Sequence, residues 1–258
     1  METGIYWRRT LHSPYNQSVA SPIDTAMFRP ITPGIETVSS SLSMHRHRHL
    51  RPYATVVLAG RLDESAYAGR ISATAGDVLI HPTLDCHANP WITAGLKIIR
   101  LDWSDTSGTG GLYRLDAIDE VARVAEKDVV EAKLLLELML REKSAPSPAR
   151  KNDWPDLLRE DLTRNNRTDI GLWAEANGLA RETVSRGFAL AYGIAPSIFR
   201  AETRARAAWL RITRGSDCLC RIATDTGFAD QAHMTRWVHR ISGAPPAAWR
   251  VFPSDHNH

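Results

Sequence analysis

One pattern occurs twice in this 258-residue chain, first in WAEANGLARETVSRGFALAYGIAPSIFR (173–200) and again in RIATDTGFADQAHMTRWVHRISGAPPAAWR (221–250). Each copy reads as a short helix, a glycine turn, a second helix with an arginine near its middle, and Gly-x-x-Pro. At an offset of 49 or 50 residues, the matched pairs include Gly178 with Gly227, Arg186 with Arg236, Gly193 with Gly243, and Pro196 with Pro246. This is the pattern of a helix-turn-helix, whose second helix enters the major groove of DNA. The sequence therefore predicts two such units in tandem, at about 169–192 and 218–242.

The second helix of each unit has an apolar face and an opposite polar face. Residues at helical spacing predict a buried stripe, at Val184, Phe188 and Ala191 in the first unit and at Met234, Val238 and Ile241 in the second. The residues predicted to face DNA are Arg181, Glu182, Ser185 and Arg186, then Gln231, Ala232, His233, Thr235 and Arg236. Arginine suits guanine, glutamate suits the cytosine amino group, and alanine suits the thymine methyl. The alternative for each arginine is a phosphate contact or a solvated surface position.

The two units are joined by a segment that is itself helical in pattern. Pro196 suits the first turn of a helix, and SIFRAETRARAAWLRIT (197–213) continues it. A stiff connecting helix is expected to hold both DNA-facing helices on one side of the duplex, roughly one helical turn (~34 Å) apart.

Composition places the chain among globular proteins and excludes few functions. The formal net charge is +3, which is too small to indicate nucleic acid by itself. All five lysines lie at or before Lys151, whereas the segment 181–214 holds seven arginines against two acids, a pattern that a GC-rich genome would also produce. The three cysteines imply no disulfide framework. Since there is neither a signal-peptide pattern nor an apolar run long enough to span a bilayer, a cytoplasmic location is expected.

The residue pattern of the N-terminal half differs from that of the helical C-terminal half. The segments 54–62, 69–82 and 95–103 are rich in β-branched residues and bounded by turn residues, which predicts an antiparallel sandwich or barrel. From about Leu112 the apolar residues recur at helical spacing. Val130, Leu134, Leu138 and Arg141 form a stripe there that could be a dimer seam, or the helix could pack on its own sheet. SAPSPARKND (144–153) is a linker candidate.

Histidines cluster in the N-terminal half. MHRHRHL places His45, His47 and His49 on alternate residues, which on a strand would share one face and favour metal binding. The later segment 76–87 adds His81, Asp85, Cys86 and His87. Arg46, Arg48 and Arg51 are interleaved with the first cluster and would repel a cation or help bind an anion.

The stretch from about Asp169 to Arg250 resembles the DNA-binding region of the AraC/XylS family of bacterial transcription regulators. The resemblance rests on Ala174, Gly178, TVSRGF (183–188) and GIAPSIFR (193–200), then on GFADQAHMTR (227–236) and GAPPAAWR (243–250). It implies that the groove-facing positions are Glu182, Ser185 and Arg186, with Ala232, His233 and Arg236. Two departures fall in the first unit: Ala180 stands where the family usually has a capping serine, and Gly187 lies inside the second helix at a cost of about 1 kcal/mol. The first unit is therefore expected to be the less rigid or less discriminating one.

The histidine segments resemble the two motifs of the cupin fold, which often serves as the sensor domain beside such a DNA-binding region. His47-x-His49 and Gly60 match the first motif, and Gly76, Pro82 and His87 match the second, but Tyr53 replaces the expected acidic ligand and Leu84 the expected glycine. The resemblance implies an effector pocket around His47, His49, Tyr53 and His87, with His47, His49 and His87 as the candidate metal ligands. Three interpretations stay open: a bound metal, a metal-free pocket, and ordinary histidines; no cofactor is assigned.

Together these observations predict an α+β protein with a cupin-like sandwich followed by a helix and an all-α tandem helix-turn-helix domain. The expected boundaries are 1–143 for sensing and dimerisation, 144–153 for the linker, and 154–258 for DNA binding. The predicted function is a non-catalytic, sequence-specific regulator that binds double-stranded DNA and a small-molecule effector as a homodimer, with RNA polymerase as a further candidate partner and no membrane partner. The alternatives are a metal-dependent cupin enzyme with an appended DNA-binding module, and an adaptor that binds another regulator.

Overall fold

The computed structural model describes residues 28–104, 110–141, 153–165 and 167–251. Within them the N-terminal part forms two antiparallel sheets. The strands are β1 (Gly34–Val38), β2 (Leu42–Arg48), β3 (Tyr53–Ala59), β4 (Arg61–Ala66), β5 (Gly69–Thr74), β6 (Asp77–His81), β7 (Cys86–Ile92), β8 (Leu96–Asp102) and β9 (Gly111–Arg114). One sheet has the order β1-β8-β3-β6-β9 and the other β2-β7-β4-β5.

Apolar side chains from both sheets form the core of the sandwich. Val57, Leu79 and Ile98 from the first sheet pack with Leu62 and Ile92 from the second. Because side chains alternate between the faces of a strand, each sheet contributes every second residue to this layer. The antiparallel sandwich predicted from the three β-rich segments is confirmed.

The helical run predicted from about Leu112 begins at residue 118 and divides into two helices, α1 (Ile118–Ala125) and α2 (Val129–Arg141). Asp128 caps the second helix, because its carboxylate accepts hydrogen bonds from the backbone N–H groups of Val130 (2.7 Å) and Glu131 (3.2 Å) at the start of α2. The buried faces of both helices pack on the outer face of the five-stranded sheet.

The C-terminal part is helical. Its helices are α3 (Trp154–Arg164), α4 (Ile170–Ala176), α5 (Arg181–Tyr192), α6 (Pro196–Arg214), α7 (Leu219–Asp225), α8 (Gln231–Ser242) and α9 (Pro246–Val251). The two helix-turn-helix units are therefore α4–α5 and α7–α8, joined by α6 as expected. The linker candidate 144–153 lies outside the described residues except for Asp153, which precedes α3. Among the helices of the described ranges, none combines the length and apolar character that crossing a bilayer requires.

Candidate DNA-binding surface and effector pocket

The turns of the two helix-turn-helix units have the same geometry. Gly178 and Gly227 adopt left-handed backbone angles, with φ of 66° and 80°. In each turn the residue after the glycine donates to a carbonyl of the preceding helix: Leu179 N to Ala174 O and Phe228 N to Ala223 O, both at 2.9 Å. Glycine adopts this conformation without the steric cost that a Cβ would add. The repeat seen in the sequence is thus a repeat of backbone structure.

The apolar stripes lie where the helical spacing places them, with one shift. Met234, Val238 and Ile241 of α8 are buried, as are Val184 and Phe188 of α5. The last buried position of α5 is Tyr192 (0% exposed), whereas Ala191 is only half-buried. The opposite face of each helix is consequently turned towards solvent.

Most residues predicted to face DNA lie on these open faces. Arg181, Glu182, Ser185 and Arg186 are exposed, as are Gln231, Ala232 and Arg236, whereas His233 and Thr235 are half-buried. Within the described residues, the guanidinium groups of Arg186 and Arg236 have no intramolecular hydrogen-bond or ion-pair partner, so their donors are available. Other arginines of the same region make contacts within the domain: Arg200 donates to Thr168 O at 2.7 Å, and Arg211 pairs with Asp225 at 2.8 Å.

His233 is held within its own helix. Its Nε2 accepts a hydrogen bond from Trp237 Nε1 at 3.0 Å, and its ring meets the edge of Phe228 at 5.3 Å between centroids. Since Nε2 is an acceptor, the proton of the neutral ring is on Nδ1, which leaves one donor for DNA.

The starts of the two DNA-facing helices differ as the sequence indicates. The Asp230 carboxylate accepts from His233 N at 2.7 Å and caps α8, whereas Ala180 gives α5 no side-chain cap.

The presence of a glycine at position 187, inside α5, is explained by packing that the sequence did not show. A Cβ on Gly187 would lie 2.4 Å from an atom of the Trp154 ring, so glycine lets α3 lie close against α5.

Gly187→Ala is expected to lower the melting temperature, although alanine is the better helix former. The gain in helix propensity is about 0.8–1.0 kcal/mol, whereas overpacking costs about 1–3 kcal/mol. Thermal unfolding followed by circular dichroism measures the difference. In a Trp154→Ala background the ring is gone, and the same substitution should then raise the melting temperature. A higher melting temperature for Gly187→Ala with Trp154 in place would contradict the packing role.

A cavity of about 530 Å³ lies in the sandwich, and the predicted pocket residues meet there. Its polar lining includes His47, His49, Tyr53, Glu64, His81 and His87. Their side chains come from β2, β3, β4, β6, β7 and the segment after β2. Arg46, Arg48 and Arg51 are not in the lining, and Arg46 and Arg48 pair with Glu202 of α6. The charge of Arg46 nevertheless acts to lower the pKa of His87.

His45 does not join the cluster, which corrects the expectation that it shares a face with His47 and His49. The pairing of β2 with β7 shifts by one residue between Met44 and His47, since Met44 pairs with Asn89 and His47 with His87. This bulge breaks the alternation of β2, so His45 is exposed while His47 and His49 are buried.

The two buried histidines of this segment are oriented by backbone carbonyls. Nδ1 of His47 is 2.8 Å from His45 O, and Nδ1 of His49 is 2.8 Å from Arg29 O. Each Nδ1–H therefore donates, and each Nε2 keeps its lone pair. Burial, with a contribution from the charge of His87, lowers the pKa of His47 to about 4 and that of His49 to about 2. Both rings are thus neutral at neutral pH.

Glu64 lines the cavity, and the Asp85 carboxylate contacts two of its histidines. Asp85 Oδ2 lies 3.1 Å from Nδ1 of both His81 and His87, and Glu64 Oε2 lies 3.8 Å from His87 Nε2. Burial acts to raise the pKa of Asp85, but hydrogen bonds from both histidines hold it well below its ordinary value. Burial likewise acts to lower the pKa of His87, but Glu64 and Asp85 raise it. Sequence reasoning found Asp85 and missed Glu64, because one acidic residue in a strand carries no signal of burial.

Tyr53 faces the cavity from β3, at the motif position where an acidic ligand was expected. Its ring stacks on His81 at 4.1 Å, and its hydroxyl is 3.5 Å from His87 Nε2. Burial, with the nearby Glu64 and Asp85 charges, raises its pKa well above the ordinary value, so the hydroxyl stays protonated. Tyr53 therefore lines the pocket as a neutral group and does not replace the missing carboxylate.

The donor set of the cavity fits a divalent metal ion. His47, His49 and His87 each offer a ligand atom within 4.8 Å of those of the other two. The Nε2 atom of His49 is buried and has no hydrogen-bond partner. Histidines that bind metals commonly donate their other ring N–H to a carbonyl or carboxylate. The Nδ1 atom of each of these three histidines lies within hydrogen-bond distance of such an oxygen.

Comparisons with known proteins were made over the whole chain. Residues 173–251 match the family described as a helix-turn-helix domain, of the AraC type. The C-terminal domain of AraT, a response regulator from Geobacillus stearothermophilus, is 15% identical over 43% of this chain and 97% of its own, with a TM-score of 0.38. Fatty-acid-bound ToxT from Vibrio cholerae is 11% identical over 84% and 92%, with a TM-score of 0.36. A search of curated proteins gave no match.

A third solved structure is the DNA-binding domain of AdpA in complex with a target DNA. It is 22% identical over 38% of this chain and 91% of its own, with a TM-score of 0.36. Because all of these TM-scores are below 0.5, the assignment rests on the domain match and on the paired turns and open helix faces described above. Residues 173–251 form an AraC-type helix-turn-helix domain, and this domain makes the chain a DNA-binding transcription regulator.

Proposed function

We propose that this chain is an effector-responsive regulator that contacts two adjacent major-groove segments of a promoter through α5 and α8. The observation that supports this most directly is the equivalence of Arg186 and Arg236. Both lie on the open face of the second helix of a unit, and neither has an intramolecular partner among the described residues. The other proposed DNA contacts, Arg181, Glu182, Ser185, Gln231, Ala232, His233 and Thr235, surround these two arginines. Arg181 is also packed across Gly171 of α4, which favours a contact to phosphate over a contact to a base.

The connecting helix suits this arrangement. At a rise of 1.5 Å per residue, the 19 residues of α6 span about 28 Å, so the two units are separated by nearly one turn of the duplex. We infer that residues 1–143 hold the effector pocket, that 154–258 bind DNA, and that 144–153 join them. The regulator then acts by binding, without a catalytic step, and changes promoter occupancy or contact with RNA polymerase.

Arg186→Ala and Arg236→Ala are each expected to weaken specific DNA binding by about 1–3 kcal/mol, or roughly 5- to 150-fold in Kd. The full chain first selects its site from random duplexes, and Kd is then measured by mobility shift across a salt series. Arg236→Ala should have the larger effect, because the Asp230 cap fixes α8 while α5 begins uncapped. Arg123→Ala, an exposed arginine on α1, is the matched control and should leave Kd unchanged. Full binding by the Arg186→Ala, Arg236→Ala double variant would favour the adaptor alternative.

We further propose that the chain forms a homodimer through α2. Val130, Leu134 and Leu138 follow one another at helical spacing on the solvent side of α2 and are 64%, 58% and 58% exposed. In an antiparallel pair of α2 helices centred near residue 136, Leu134 meets the partner's Leu138. Glu131 then meets the partner's Arg141. This self-complementary arrangement of apolar and charged groups is what a two-fold interface requires.

Leu134→Glu together with Leu138→Glu is expected to convert the dimer to a monomer, because four carboxylates would meet at the seam. Molar mass by light scattering on a sizing column measures this. Leu157→Glu, a partly exposed leucine of α3, should leave the mass unchanged. Glu131→Arg should weaken the dimer, and adding Arg141→Glu should restore it. A dimer that survives the double leucine substitution would contradict the α2 seam.

A further inference from the structure

Two segments of the sandwich carry cavity residues and contacts to the DNA-binding half side by side. The first is β2 with the residue that follows it, and the second is the turn 82–85 between β6 and β7. In each segment, neighbouring side chains point in opposite directions, so the cavity lies on one side and α6 on the other. A ligand on His47 and His49 is therefore one residue away, along the backbone, from contacts to the DNA-binding half.

In the first segment, His47 and His49 face the cavity while Arg46 and Arg48 face α6. Arg46 and Arg48 both pair with the buried Glu202 of α6, at 3.1 Å and 3.0 Å. The Tyr67 hydroxyl also donates to Glu202, at 3.0 Å. We call these four residues, Arg46, Arg48, Tyr67 and Glu202, the Glu202 cluster.

In the second segment, Asp85 contacts the cavity residues His81 and His87, and Leu84 faces α6. The Asp85 carboxylate holds His81 and His87, as described above. Leu84 is fully buried in the same apolar cluster as Ala205 and Ala208 of α6, and Arg206 of α6 donates to Thr83 O at 3.2 Å. Leu84 reaches this position with a φ of 59°, a conformation that leucine rarely adopts.

The chemistry of the cavity points to a small cation. Three imidazoles present ring nitrogens to one another, a carboxylate lies beside the third, and one of the buried nitrogens has no partner at all. Imidazole and carboxylate ligands around a shared point suit a divalent transition metal such as zinc or ferrous iron. Apolar side chains such as Met44, Leu62 and Ile92 also line the cavity, together with Arg29 and Arg100.

We propose that the effector is a divalent transition-metal ion held by His47, His49 and His87, that Glu64 of β4 supplies its carboxylate ligand, and that β2 and the turn 82–85 transmit its binding to α6. Ligand atoms on one such ion lie roughly 3.3 Å apart, given bond lengths of about 2.0–2.1 Å. The ligand atoms, which are spread over as much as 4.8 Å, draw together on binding. Because the interior is close-packed, this movement of β2 shifts Arg46 and Arg48 and with them Glu202.

The first test is metal binding by the full chain without DNA. Dialysis against cobalt(II) or zinc(II), followed by elemental analysis, should give about one ion per chain, and the cobalt form should show the visible absorption of a low-coordinate site. His47→Ala and Glu64→Gln should each reduce the affinity at least tenfold. His45→Ala is the matched control and should bind as the wild type does. Glu64→Gln keeps the shape of its side chain, so it tests the site even if His47→Ala does not fold. Wild-type protein that binds neither ion overturns the proposal.

The second test concerns transmission and rests on the proposed DNA-binding function. Adding zinc(II) should change the Kd for the selected duplex at least fivefold in the wild type. In Glu202→Gln the ion should still bind, but this change should fall below twofold; Glu160→Gln, a half-buried acid on α3, should behave as the wild type. An equal response in Glu202→Gln would overturn the role of the Glu202 cluster. Since DNA binding is also measured without metal and metal binding without DNA, failure of either proposal is visible separately.

Discussion

The arrangement of the two halves depends on one buried carboxylate. Glu202 lies between the guanidinium groups of Arg46 and Arg48, and both cations come from one strand of the sandwich. Burial acts to raise the pKa of Glu202, but Arg48 and Arg46 hold it below its ordinary value, so the carboxylate is charged at neutral pH. Arg46 also lies over the rings of Tyr67 and Phe199, at 5.3 Å and 5.7 Å, which helps offset the second positive charge. Loss of one partner from such a buried group typically costs about 3–5 kcal/mol.

The position of Glu202 along α6 explains its reach. Phe199, one turn earlier, belongs to the core of the first helix-turn-helix unit. Ala205, one turn later, belongs to the core of the second unit with Ala208 and Ile212. A contact at residue 202 therefore fixes α6 at the point between the two cores. Any shift of the cluster relative to the sandwich moves the helix on which both units are built, whereas a contact at either end of α6 would act mainly on one unit.

The features that could be predicted from the sequence are those that local chemistry controls. The glycines at 178 and 227 require particular backbone angles, and the apolar spacing sets which face of each helix is buried, so both units could be drawn before the fold was known. The histidine motifs likewise predicted that His47, His49 and His87 meet in the sandwich, although His45 does not join them. The rest depends on contacts between distant parts of the chain. Glu64 and Glu202 look like surface acids in sequence, Leu84 looks like a broken motif, and Gly187 looks like a weak helix until Trp154 is seen against it.

These long-range contacts also affect the difference in order that the sequence predicts between the two helix-turn-helix units. The first unit lacks a cap at Ala180, yet the sheet domain holds it firmly: Arg70 of β5 binds Asp156 of α3 at 2.7 Å, and Asp156 accepts from the Tyr192 hydroxyl at 2.5 Å. The second unit is capped at Asp230 and is attached to the sandwich mainly through α6 and Leu84. The first unit therefore gains from the sandwich the order that its own sequence lacks, while the second carries its order locally. A change in the sandwich should accordingly reach the first unit by two routes, through α3 and through α6. It should reach the second unit chiefly through α6, so the proposed effector would alter the position of the second unit more than its internal structure.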